Sequence, residues 1–110
     1  CERGGERLMM ATMQNGLTAL ILASVKGHLA VVEYLCERGG ERLMMATDTD
    51  GSTALIEASV NGHLPVVGYL CERGGERLMM ATMQNGLTAL ILASVKGHLA
   101  VVEYLCERGG

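Results

Sequence analysis

The pentapeptide Cys-Glu-Arg-Gly-Gly begins at Cys1, Cys36, Cys71 and Cys106, which gives the chain an internal period of 35 residues. Residues 1–40 and 71–110 are identical letter for letter. The copy between them departs at eight positions: Asp48, Thr49, Asp50, Ser52, Glu57, Asn61, Pro65 and Gly68. A unit this short cannot bury its own apolar face, so the period predicts stacked units sharing one continuous core. Identity over 40 residues marks design, recent duplication or homogenisation of an array.

Within the first copy, Asn15-Gly16 is a tight-turn dipeptide, repeated as Asp50-Gly51 and Asn85-Gly86. Thr18 follows as an N-cap, and Ala19–Lys26 reads as a short helix that is apolar on nearly every side. Such a helix is expected between two neighbours. Gly27 stands where a left-handed C′ residue would end it. A second helix is predicted from Leu29 to Arg38, with Leu29, Val32, Leu35 and Cys36 on one stripe. Pro65 falls in the first turn of this helix in the middle copy, where its missing N–H costs little. Gly39-Gly40 is a stop, and Glu41–Thr47 is expected to lead to the next turn as an extended arm.

With 49% hydrophobic residues but no Phe or Trp, the core must be aliphatic. The net charge of −3 lacks the basic stripe of a general nucleic-acid binder, so no nucleic-acid partner is expected. Ala19–Val25, the longest helical apolar run, falls well short of the roughly 20 residues that span a bilayer, so no membrane partner is expected either. Equivalent cysteines in stacked copies would stand about 8–10 Å apart, beyond the roughly 7 Å Cα limit for a disulfide. Reduced thiols buried on the second helix are therefore expected. With no recognisable signal segment in these 110 residues, that reading favours the cytoplasm.

Constellations that could carry chemistry are few. His28, His63 and His98 recur with Cys36, Cys71 and Cys106, but each pair lies eight residues apart, about 12 Å along a helix. Zinc gathers its ligands at about 2.0–2.3 Å, so no metal site is expected. Every candidate nucleophile or base recurs in equivalent positions, whereas catalysis needs one oriented set. No P-loop or dinucleotide fingerprint occurs, so neither a cofactor nor an enzyme is expected. Asp48, Asp50 and Glu57 belong to the middle copy alone and are expected on solvated surface. The pairs Met9-Met10, Met44-Met45 and Met79-Met80 are expected to pack the arms against the helices.

Gly16-x-Thr18-Ala19-Leu20-x-x-Ala23, then Gly27-His28-Leu29-x-Val31-Val32-x-x-Leu35 and Gly39, resembles the ankyrin repeat. The match recurs in all three copies over residues 13–110, with Cys1–Gly5 the tail of a preceding copy. It implies an all-α, ankyrin-type solenoid with projecting turn or hairpin arms. Residues 1–12 would be a tail and arm, 13–47 and 48–82 two repeats, and 83–110 a truncated third. Ala19, Ala54 and Ala89 replace the family's usual Pro, and Ile21, Ile56 and Ile91 its usual His. Each unit also carries two residues more than the common length, in the arm. The resemblance further implies that His28, His63 and His98 start the second helix and hydrogen-bond locally.

By the same resemblance the chain would recognise a protein partner through arm tips and first helices. The contact positions would be Gln14, Asn15, Leu17, Val25 and Lys26 in the first copy. Their counterparts are Thr49, Asp50, Ser52, Val60 and Asn61, then Gln84, Asn85, Leu87, Val95 and Lys96. A second reading is an array whose role is to stack. The two end units carry the apolar sequence of internal ones, so head-to-tail self-association is expected, although Cys1–Gly5 and Cys106–Gly110 overlap in register.

Overall fold

The computed structural model describes residues 18–109. They form six helices in three pairs: α1 (Ala19–Lys26) with α2 (Leu29–Met44), α3 (Ala54–Val60) with α4 (Leu64–Met80), and α5 (Ala89–Lys96) with α6 (Leu99–Gly109). Among the described residues there is no strand, only an isolated antiparallel bridge between Thr82 and Thr88. The first helices α1, α3 and α5 stack in one layer and the second helices α2, α4 and α6 in another. The chain is an all-α repeat solenoid.

The local signals act as the residues dictate. Thr18, Thr53 and Thr88 each accept a bond from the backbone N–H three residues on, at 3.2 Å. Gly27 adopts φ 78° and donates to Ala23 and Ser24, ending α1 with a left-handed cap. Pro65 occupies the first turn of α4.

Neighbouring copies decide what is buried. Ile21 and Ile56 are fully buried, whereas Ile91, in the same local sequence as Ile21, is 42% exposed. The following copy therefore covers this face. The preceding copy covers the opposite one: Val31 is 47% exposed, while Val66 and Val101 are buried. Burying one such side chain contributes about 1.5–3 kcal/mol, so the stack draws its stability from contacts no isolated unit can make. Ile21 and Ile56 make this part of the seam apolar.

Three expectations require correction. The arm is not extended throughout: Gly40 (φ 64°, ψ −160°) breaks the helical path, and Glu41–Met44 then resume a helical turn, as residues 76–80 do after Gly75. Burial of Leu43 and Leu78 drives this turn, and bare Gly39 and Gly74 admit them, since a Cβ on Gly39 would lie 2.6 Å from Leu43 Cδ2. The histidines do not bond locally. His63 Nε2 donates to the Val25 carbonyl at 2.8 Å, and His98 Nε2 to that of Val60 at 2.8 Å, each reaching into the preceding copy. Their rings lie over Gly27 and Gly62, where a Cβ would come within 2.6 Å of Nδ1. Third, Cys36 and Cys71 are buried but Cys106 is exposed. All three thiols are free, and Cys1 lies outside the described residues. Of the methionines, Met44 is buried in the core, whereas Met80 is exposed; Met9 and Met10 lie outside the described residues.

Burial pushes the Cys36 thiol up to about 11, a rise that Arg73 tempers and Glu37 reinforces. Cys71 is raised to about 11 in the same way, with Arg108 and Glu72 in those roles. Both buried thiols should resist alkylation at neutral pH while Cys106 labels quickly, as mass spectrometry of a timed labelling series would show. Folding holds these protons more tightly than the unfolded chain does. Their stabilisation is therefore complete below pH 9, the ordinary thiol value, and is lost as pH rises through about 11. Urea melts between pH 8 and 11 should show falling midpoints; a flat profile would contradict the burial of these thiols.

Candidate functional site

Between α2 and α3 the chain reverses in a tight hairpin. Asp48 N–H donates to the Ser52 carbonyl at 3.0 Å, and Gly51 N–H to the Asp48 carbonyl at 3.0 Å. The Asp48 carboxylate braces the turn from one side, accepting from Asp50 N–H at 2.8 Å and Ser52 N–H at 3.0 Å. Gly51 supplies the positive φ of 86° that closes the tip. In the third copy Met83 replaces the aspartate. Its hairpin closes through Met83 N–H to the Leu87 carbonyl at 2.9 Å, and Asn85 Oδ1 takes over the bracing by accepting Leu87 N–H at 3.2 Å. One turn thus has two polar solutions.

The tips are joined to each other. Gln84 N–H donates to the Asp50 carbonyl at 3.0 Å, and Gln84 Nε2 to the Thr49 carbonyl at 2.9 Å. A Cβ on Gly51 would lie 3.0 Å from Gln84 N, so glycine there lets successive hairpins pack closely. The structure therefore brings Thr49, Asp50, Gln84 and Asn85 together along one exposed row. Leu87 is half-buried at its base.

At the far ends of the first helices, Lys26, Asn61 and Lys96 are exposed. Asn61 Nδ2 folds back onto the Glu57 carbonyl at 2.8 Å. Val25 and Val60 are half-buried and Val95 is 73% exposed. The backbone carbonyls of Val25 and Val60 are taken by the histidines of the next copy. Ser52 is buried and donates its hydroxyl to Glu57 Oε2 at 2.8 Å, so it braces the hairpin against α3. Gln14, Asn15 and Leu17 lie outside the described residues.

Two roles escaped the sequence reading. Asp48 and Glu57 are half-buried bracing groups rather than solvated surface. The signal for Asp48 was present, because an aspartate ahead of a Gly turn readily accepts the N–H groups that follow it. For Glu57 the signal is a paired exchange. The other copies carry Leu17 with Leu22 and Leu87 with Leu92, and the middle copy replaces both leucines at once by Ser52 and Glu57. Replacing one partner alone strands the other, so Ser52→Leu should destabilise the chain by about 1–2 kcal/mol. The double substitution Ser52→Leu/Glu57→Leu should recover most of that loss. Urea melts of the two variants check this, and equal stabilities would break the pairing.

Among the described residues no three His, Cys, Asp or Glu side chains come together as a metal site, and no helix is long and apolar enough to cross a membrane. No curated protein matches the sequence. A family model described as ankyrin repeats (3 copies) matches residues 4–80 and 42–110. With stacked helix pairs, hairpin tips joined in a row and a model match over nearly its whole length, the chain belongs to the ankyrin-repeat family.

Proposed function

We propose that the chain recognises a protein partner through the row of hairpin tips together with the exposed ends of α1, α3 and α5. Ankyrin repeats are generally protein–protein interaction modules, typically non-catalytic, and this reading assigns the surface. One observation carries it. Of the eight positions at which the middle copy departs from its neighbours, Asp48, Thr49, Asp50, Ser52, Glu57 and Asn61 lie on the hairpin and first helix. The residues that stack the copies, from Thr53 to Ile56 and from Gly62 to Leu64, are unchanged. Three of these changes, Thr49, Asp50 and Asn61, are exposed on the face a partner would meet, while the apolar stacking residues are unchanged.

The surface has a chemical pattern. The exposed tip residues are uncharged except for Asp50, and the helix ends read Lys26, Asn61, Lys96. A partner with a basic group opposite Asp50 and acidic groups opposite the lysines would be complementary. Rigid tips keep the ordering cost of binding low. The free thiols suit a reducing compartment such as the cytoplasm.

The test is affinity capture of binding proteins from a lysate with the chain and with an Asp50→Lys/Asn61→Asp/Lys96→Glu variant. These three side chains are exposed, so the variant should keep the unfolding free energy of the parent within about 1.5 kcal/mol. Proteins captured by the parent should be lost from the variant. Retention of the same proteins by a folded variant would rule this surface out.

A further inference from the structure

Three asparagine–glycine pairs stand in the chain. This is the dipeptide that loses its side-chain amide most readily, because a residue without Cβ lets its own backbone nitrogen approach the asparagine side chain. Asn15-Gly16 lies outside the described residues. Of the other two, Asn85-Gly86 forms the exposed tip of the hairpin ahead of α5, and Asn61-Gly62 ends α3. Their carboxamides are turned in opposite ways. At the tip, Asn85 Oδ1 accepts the Leu87 N–H at 3.2 Å, and among the described residues nothing accepts from its Nδ2. At the helix end, Asn61 Nδ2 donates to the Glu57 carbonyl at 2.8 Å, and among the described residues nothing donates to its Oδ1. The partners fix which atom is oxygen and which nitrogen, since an N–H needs an acceptor and a carbonyl a donor.

We propose that Asn85 is a site of spontaneous deamidation in the folded chain, with water as the only co-reactant. The Gly86 backbone nitrogen attacks Asn85 Cγ, so an N–Cγ bond forms and the Cγ–Nδ2 bond breaks. The Gly86 N–H proton passes through water to the departing nitrogen, which leaves as ammonia. Water then adds to one of the two carbonyls of the succinimide. Opening on the side-chain side leaves aspartate; opening on the backbone side leaves isoaspartate, with one methylene more in the main chain. Nothing is oxidised or reduced. The Leu87 N–H points at Oδ1, the atom on which negative charge gathers during the attack, and a donor so placed stabilises the developing oxyanion. At Asn61 the polarity is reversed, because the bond to Glu57 holds the nitrogen that must leave.

Attack requires the glycine nitrogen to turn out of its present bond, and the surroundings decide which pair can do so. Gly86 N–H donates to the Met83 carbonyl at 2.9 Å, one bond within an exposed turn. Asp50, the counterpart of Asn85 in the middle copy, is exposed with the following tip bonded to its carbonyl, so this place is open to water in an internal copy too. Gly62 is held more firmly. Its N–H donates to the Ser59 carbonyl at 3.2 Å, and the next N–H, that of His63, to the Ala58 carbonyl at 3.0 Å. The His98 ring of the following copy lies against it, where a Cβ would come within 2.6 Å of Nδ1. Turning that peptide disturbs the seam between copies, whereas turning the tip does not. The product at Asn85 carries a carboxylate where the middle copy has Asp50, and so changes the charge of the tip row. Its effect on a partner rests on the surface proposed above; the modification itself does not.

The test is a timed incubation of the full 110-residue chain at mildly alkaline pH, followed by trypsin digestion and tandem mass spectrometry. Residues 8–26 and 78–96 give the same tryptic peptide, so the chain carries Asn15→Gln, which marks the first of them by its mass. In the folded chain Asn85 should convert faster than Asn61 by about tenfold or more, since opening at Gly62 must also give up the His98 contact and a further hydrogen bond. In urea, where both pairs lose their surroundings, the two rates should draw level. Circular-dichroism melts along the series confirm that the incubated chain stays folded. Partner capture plays no part in this readout, so a failure here and a failure of the partner surface are seen separately. Asn85 left intact in the folded chain while it converts in urea, or Asn61 converting as fast as Asn85 in the folded chain, would overturn the proposal.

Discussion

The α1 helix is eight residues long and apolar on nearly all sides, and everything else in the chain follows from the need to cover it. One partner helix covers one side only. Ile21 disappears from solvent because α3 lies against it, and the same residue type at Ile91 is left 42% exposed. An isolated helix of this length is marginal in water. Stability thus belongs to the seam between copies, and its buried apolar residues, such as Ile21 with Ile56 and Val66 with Val101, repeat unchanged along the chain.

The polar contacts across the seam fix its register. His63 and His98 each place one ring over a glycine and one proton on a carbonyl that the helix end leaves unpaired. Each such bond contributes only about 0.5–1.5 kcal/mol, too little to drive stacking, but it is satisfied in one register alone. The Gln84 bonds to Thr49 and Asp50 do the same at the hairpin tips. The hairpin tips ahead of α3 and α5 are thereby joined, α3 is held at both ends, and the variable residues Thr49 and Asp50 sit on this row.

Much of this was legible in the sequence because it is local. Thr18, Gly27 and Pro65 announce helix ends by their own chemistry, and the 35-residue period announces the stack. What escaped depends on neighbours distant in sequence. The helical turn at Glu41–Met44 exists because Leu43 finds a buried place over Gly39, which periodicity does not reveal. The histidine bonds span 38 residues. Cys106 is exposed although its local sequence is that of buried Cys36 and Cys71. At the candidate site the turn positions Asp50 and Asn85 were readable from the turn dipeptides, whereas Thr49 and Gln84 came from the resemblance to the ankyrin repeat. Ser52 was misjudged as a contact residue because its hydroxyl answers Glu57, five residues away on the next helix.

The central claim is that the seam, not the unit, is what folds. Far-ultraviolet circular dichroism of one unit alone, residues 13–47, beside the whole chain tests it most directly. The account predicts little helix and no cooperative transition for the single unit, against a helical spectrum and one cooperative urea transition for the whole chain. A single unit with native-like helix content and a cooperative melt of its own would contradict it.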